Sequence, residues 1–178
     1  MTPLRRGVAR AAGLALGLAL GVAPGLGLAP GVGPALVAAA TPSLTITGDA
    51  TYDVLPDERR VAVTVHLVAT NHLRNTVSRK VYFRTAFLTV QPGTSGFALR
   101  GGSGNPKVSV HESTDTFTSL KLDLGANLAA GKSTQLTLTF DIRDTGGDPA
   151  RLVRVSPSLV TFGAWAFATP GTPGSTVL

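Results

Sequence analysis

Three histidines, His66, His72 and His111, and ten carboxylates are the groups in this chain suited to acid–base or metal chemistry. Zinc hydrolysis needs converging imidazoles and a carboxylate, commonly with two histidines one helical turn apart. No His-Glu-x-x-His occurs. His66 alternates with an apolar strand face and is expected in solvent, His72 sits in the following turn, and His111-Glu112 lies at a strand end. Asp144-Thr145-Gly146 matches the aspartic-protease triplet, whose carboxylate shares a proton with a partner aspartate. The triplet occurs once and so would require a homodimer. Arg143 also precedes it where a buried apolar residue is needed, so it reads as a strand end followed by a Gly-Gly turn. Asp141, Asp144 and Asp148 together suggest calcium, which takes several oxygen ligands from one loop. Their spacing is unlike an EF-hand, and Asp141 falls on the outward face of its strand, so they read as solvated acids. The Gly101–Gly104 loop resembles a phosphate cradle in composition only, since no Lys-Ser/Thr and no helix follows it. No Gly-x-Ser-x-Gly elbow occurs. The absence of cysteine excludes disulfides, thiolate metal sites and cysteine nucleophiles. The expectation is a protein that is not an enzyme, with no catalytic, metal-binding or cofactor-binding residue.

The remaining candidate is apolar. Phe162-Gly163-Ala164-Trp165-Ala166-Phe167 concentrates aromatic side chains and holds the single tryptophan. Strand alternation would place Trp165 and Phe167 on one face. Core packing is one reading. The other makes Phe162, Trp165 and Phe167 a contact surface for a ligand or a further domain, favoured by the Pro/Gly-rich Ala168–Leu178 segment that follows.

These residues are carried by segments with a two-residue period, the mark of strands with one buried face. In Arg60–Thr70, Val61, Val63, Val65 and Leu67 face one way; in Thr134–Arg143, Leu136, Leu138, Phe140 and Ile142 do. Ser43–Leu55, Val77–Val90, Gly96–Arg100, Lys107–Glu112, Thr116–Leu124, Arg151–Val155 and Leu159–Phe167 are further strand candidates. Val77–Val90 changes phase near Thr85-Ala86, which suggests a bulge. Leu124–Ala130 is the one window with a trace of helical period. Turn formers separate the runs, as at Pro56-Asp57-Glu58, Gln91-Pro92-Gly93 and Gly146-Gly147. The pattern predicts an all-β, antiparallel sandwich of immunoglobulin-like type over residues 41–167, with residues 168–178 a linker or a truncated C-terminal end.

Residues 1–40 have a different composition. Arg5, Arg6 and Arg10 precede an uncharged Ala/Gly/Leu-rich stretch ending in Ala38-Ala39-Ala40, the order of a secretory signal. The stretch is long enough to span a membrane. However, Pro24, Pro30 and Pro34 interrupt it, so cleavage is favoured over a retained anchor, and contact with a membrane is expected only through an uncleaved leader. Arg5-Arg6 also raises a twin-arginine route, which the flanking residues support poorly. The leader holds three of the 16 basic residues against 10 acids in the whole chain. No basic stripe with interleaved aromatics marks a nucleic-acid partner. The Gly/Ala-rich, Lys-poor leader suggests a bacterial source and a secreted or cell-surface destination.

Four segments together resemble the N-terminal β-sandwich domain of secreted bacterial zinc aminopeptidase-like (gluzincin) proteins. They are Ala50-Thr51-Tyr52-Asp53-Val54 with the strand from Arg60, Thr70-Asn71, Leu128-Ala129-Ala130-Gly131-Lys132-Ser133, and Ser158 to Phe167. The similarity covers most of Ser43–Leu178 but includes no zinc-binding helix, so no catalytic or metal residue carries over. The resemblance implies a non-catalytic accessory or scaffold domain, isolated from its catalytic partner. The alternative is a stand-alone extracellular binding module for cell-surface glycan or protein. Secreted material should begin at or near Thr41. N-terminal sequencing checks this, and recovery of Met1 outside the cytoplasm would refute cleavage.

Overall fold

The computed structural model describes residues 42–147, 152–169 and 174–177. The leader, Asp148 and Arg151 lie outside the described residues. The strands are β1 (Leu44–Leu55), β2 (Arg60–Asn71), β3 (Tyr82–Val90), β4 (Thr94–Gly101), β5 (Lys107–Ser113), β6 (Thr118–Ala129), β7 (Ser133–Arg143), β8 (Arg154–Ser156), β9 (Leu159–Thr161) and β10 (Gly174–Val177). One sheet has the order β10-β1-β2-β7-β4, a second β3-β6-β5, and β8-β9 form a small hairpin. All pairings are antiparallel except β1 with β10. The described residues contain no α-helix, and the expected antiparallel β-sandwich is the fold.

The two cleanest alternating runs lie side by side at the centre. Val61 pairs with Ile142, Val63 with Phe140, Val65 with Leu138 and Leu67 with Leu136. All eight side chains are buried. On the other flank of β2, Tyr52 pairs with Val63, Ala50 with Val65 and Gly48 with Leu67. The inner face therefore consists of three-strand rows, Tyr52–Val63–Phe140 and Ala50–Val65–Leu138 among them. Leu120, Leu122 and Leu124 from β6, with Ala86, Leu88 and Val90 from β3, join these rows in one core cluster. Cross-strand neighbours and facing layers remove apolar area from water together, which drives the sandwich to close.

The expected phase change in β3 is a register shift between Phe83 and Thr85, after which Ala86, Leu88 and Val90 turn inward. Several boundaries differ from expectation. Val77 to Val81 is not strand, because Asn75 Oδ1 accepts the Val81 N–H (2.9 Å) and Thr76 Oγ1 accepts the Arg79 N–H (3.1 Å), a local turn that competes with the sheet. Leu124–Ala129 is strand, not helix. β6 continues through Gly125 at φ +78°, and its far end pairs Leu128 with Phe83 and Ala129 with Tyr82. Residues 162–167 are not strand either. Within the presumed linker, Gly174–Val177 pairs in parallel with Gly48–Thr51 of β1.

Gly48 is required by close approach. Its φ is ordinary, but a Cβ there would collide with the Phe167 carbonyl oxygen and crowd Leu67. Gly48→Ala should therefore destabilise the protein by displacing the segment around Phe167. Leu138→Ala should cost about 2–5 kcal/mol by leaving a cavity. Urea denaturation of both variants checks these expectations, and an unchanged midpoint for Gly48→Ala would contradict the seating of Phe167 over β1.

Candidate contact site around Trp165

After β9 the chain crosses the open edge between the sheets without joining either as a strand. Side chains hold its backbone instead. The Tyr52 hydroxyl donates to the Trp165 carbonyl (3.0 Å) and accepts the Trp165 N–H (2.8 Å). Gln91 Nε2, at the end of β3, donates to the Gly163 carbonyl (3.0 Å). Beyond them, the Thr169 N–H donates to the Ile46 carbonyl (2.8 Å), and Thr169 Oγ1 accepts the Ile46 N–H (2.8 Å). Residues 162–169 thus form a strap tied to β1 on one side and to the β3 end on the other.

This arrangement corrects the expected contact surface. Phe167 is 1% exposed and packs edge-on to Phe140 (centroids 6.0 Å apart), so it is a core residue. Phe162 is half-buried with its ring 5.6 Å from that of Tyr52, and Trp165 is half-buried against the core. For Phe167 the core-packing reading is the one that holds, although the segment that carries it is not a strand. Trp165 retains an accessible part. It lines a groove of about 290 Å³ with Gln91, Pro92, Asp115, Thr116, Leu152, Val153 and Gly163. Leu152 is 80% exposed at the rim. Single-residue reading missed these groove partners because they come from three separate turns.

The other candidates are dispersed. His66 Nδ1 meets Thr137 Oγ1 (3.3 Å) on one outer face, His72 Nε2 meets Thr45 Oγ1 (2.8 Å), and the His111 ring lies 5.0 Å from Phe87 on the other sheet. Among the described residues no three His, Asp or Glu side chains gather in a metal-binding group. Asp141 faces outward as expected and accepts from Arg60 Nη1 and Arg143 Nη2 (2.8 Å each). Asp144 is not a solvated acid. Its carboxylate is 3% exposed, accepts the Gly146 N–H (2.8 Å) and the Val155 N–H (3.1 Å), and lies 3.3 Å from Arg59 Nη2. It ties the end of β7 to β8. Asp148, the third acid considered for calcium, lies outside the described residues.

Segments distant in the chain meet at two places. Asn71, fully buried, donates from Nδ2 to the Leu128 carbonyl (2.9 Å). Its backbone carbonyl accepts the Gly131 N–H (2.9 Å), and its own N–H reaches the Lys132 carbonyl (3.0 Å). Thr70 Oγ1 meets Ser133 Oγ at 2.8 Å beside it. The second meeting place is Tyr52 with Trp165. Comparison with protein-family models gives no match for this chain, and comparison with the curated proteins gives none.

Burial pushes the Tyr52 phenol above its ordinary value of 10.0, opposed by the Trp165 backbone and the Gln91 side chain. The unfolded phenol therefore ionises first as pH rises, and the folded state loses stability from about pH 10 upward through the folded value; below that the contribution is complete. Tyr52→Phe should remove this alkaline loss. It should also lower stability at neutral pH by about 1–3 kcal/mol, because the Trp165 N–H and carbonyl lose their partner. Urea midpoints of both proteins from about pH 8 to pH 11 check the sign. A variant as alkali-sensitive as the parent would contradict it.

Proposed function

We propose that this chain is a non-catalytic, exported β-sandwich that serves as the accessory or scaffold domain of a zinc aminopeptidase-like protein, with the Trp165 groove as its contact site. The observation that carries this reading is the groove itself. The strap fixes Trp165 through its backbone while leaving part of the indole accessible beside Leu152, Val153 and Pro92. Large apolar side chains grouped at one exposed place suit a protein contact. The aminopeptidase-like part of this reading rests on the sequence resemblance of the four segments. The disposition of the acids is consistent with a scaffold, since Asp141 and Asp144 are both engaged by arginines.

One observation favours a stand-alone binding module. Asp115 and Thr116 line the same groove as Trp165. An aromatic face beside a carboxylate and a hydroxyl is the chemistry that holds a sugar ring of a cell-surface glycan.

Leu152→Asp tests the contact reading without touching the core. It should leave the urea midpoint within about 0.5 kcal/mol of the parent, as exposed substitutions do. Binding of a hydrophobic dye and self-association in sedimentation should fall. Trp165→Ala should act in the same direction while retaining the backbone bonds to Tyr52. The purified protein should hydrolyse no peptide, and zinc should change nothing. Dye binding unaffected by both substitutions would remove the groove as a contact site, and chelator-sensitive peptide hydrolysis would overturn the non-catalytic reading.

A further inference from the structure

A second cleft lies at the β8–β9 hairpin, and its chemistry differs from that of the Trp165 groove. It has a volume of about 340 Å³ and is lined by Arg59, Asp144, Gly147, Arg154, Ser156, Ser158 and Leu159. Two guanidiniums and two hydroxyls therefore share one small concavity. Their positions follow from backbone constraints. Arg59 closes the short 3-10 turn Pro56–Glu58 in the left-handed region, at φ +52°, and its carbonyl accepts the Asp144 N–H (2.9 Å). Arg154 opens β8, pairing with Thr161. Ser156 and Ser158 flank the hairpin turn, where Ser156 Oγ accepts the Leu159 N–H (3.2 Å) and meets Ser158 Oγ (3.3 Å).

The charge balance in this cleft is uneven. Among the described residues Asp144 is the one carboxylate in the lining, and it is almost fully withdrawn from solvent, engaged by two backbone N–H groups and Arg59. Arg59 remains 55% exposed. Arg154 is half-buried, and among the described residues no carboxylate forms an ion pair with it. A half-buried arginine with no carboxylate partner among the described residues carries an uncompensated charge, and a second arginine lining the same cleft adds repulsion. An anion in the cleft relieves both costs.

We propose that this cleft binds a compact oxyanion, a phosphate or sulfate group. The planar fork of arginine matches the oxygen edges of such groups in a bidentate manner. Donors reach the cleft from three directions: Arg59 behind the 3-10 turn, Arg154 on β8 and Ser158 at the hairpin tip. A tetrahedral oxyanion has acceptors pointing to all three, whereas a carboxylate has only two oxygens in one plane. The Trp165 groove plays no part in this site, so the two stand or fall separately.

The test uses the full chain and the inorganic ions themselves. Sodium phosphate and sodium sulfate are titrated in parallel at constant ionic strength set by sodium chloride, with amide chemical shifts and thermal unfolding as readouts. Saturable shifts at Ser156, Ser158 and Leu159, with a raised Tm, are expected. Phosphate binding that strengthens as the monoanion becomes the dianion would identify phosphate as the better ligand, and equal binding across that pH range with sulfate ahead would identify sulfate. Arg154→Gln should weaken binding about tenfold or more while leaving the Tm without ligand no lower, because among the described residues no carboxylate pairs with Arg154. Ser158→Ala should weaken it a few-fold, and Arg74→Gln, on a distant exposed loop, should bind like the parent. Shifts that chloride alone reproduces, or an Arg154→Gln protein that binds as tightly as the parent, would overturn the proposal.

Discussion

The Tyr52 hydroxyl accepts and donates at the same residue, Trp165, and the rest of the strap is organised around that pair of bonds. An open sandwich has two long gaps between its sheet edges, and backbone exposed there must find partners or remain in water. On the β1 side the gap is filled by residues 162–169. Their polar backbone groups are met by the Tyr52 phenol, the Gln91 amide and the Ile46 carbonyl, and Thr169 Oγ1 in turn accepts the Ile46 N–H. This frees the Phe167 side chain to complete the core against Phe140. It also explains the absence of a side chain at position 48, where the strap's carbonyl occupies the space a Cβ would need.

The polar residues of the fold show how a chain without disulfides secures its connections. Asn71 pins the end of β2 to the turn that starts β7, and Asp144 pins the end of β7 to β8. Both are buried, and both satisfy backbone groups that would otherwise be stranded. Buried polar groups of this kind are costly when half-satisfied, so each fixes one arrangement of the chain around it. The same economy separates the two candidate surfaces. Where carboxylates and guanidiniums neutralise one another, as at Glu58, Arg60, Asp141 and Arg143, the surface has little residual charge to offer a ligand. Arg154 differs, since no carboxylate among the described residues pairs with it.

Much of the central sheet was legible in the sequence, because β2 and β7 each bury one face and so obey a strict two-residue period. Val61 to Leu67 and Leu136 to Ile142 could be read residue by residue, and they proved to be direct cross-strand partners. The β3 bulge was legible for the same reason, as a break in that period. The strap was not. Its residues have strand-like composition, but their conformation depends on Tyr52 and Gln91, more than 70 residues earlier in the chain. Asp144 was misread for a related reason, since a turn acid looks solvated until the hairpin at Val155 is folded over it. The candidate groove was only half legible. Trp165 marked the place, but Leu152, Asp115 and Thr116 reach it only through the tertiary fold.

Native-state hydrogen exchange at the Trp165 and Thr169 amides tests most directly whether the strap belongs to the cooperative core. Both amides donate to fixed acceptors beside a buried Phe167. Their opening free energies should equal those of Val63 and Leu138 in the central sheet, with all four exchanging through global unfolding. Exchange of Trp165 and Thr169 through a low-energy local opening, with Val63 and Leu138 still protected, would show that the sandwich closes without the strap and would contradict its place in the fold.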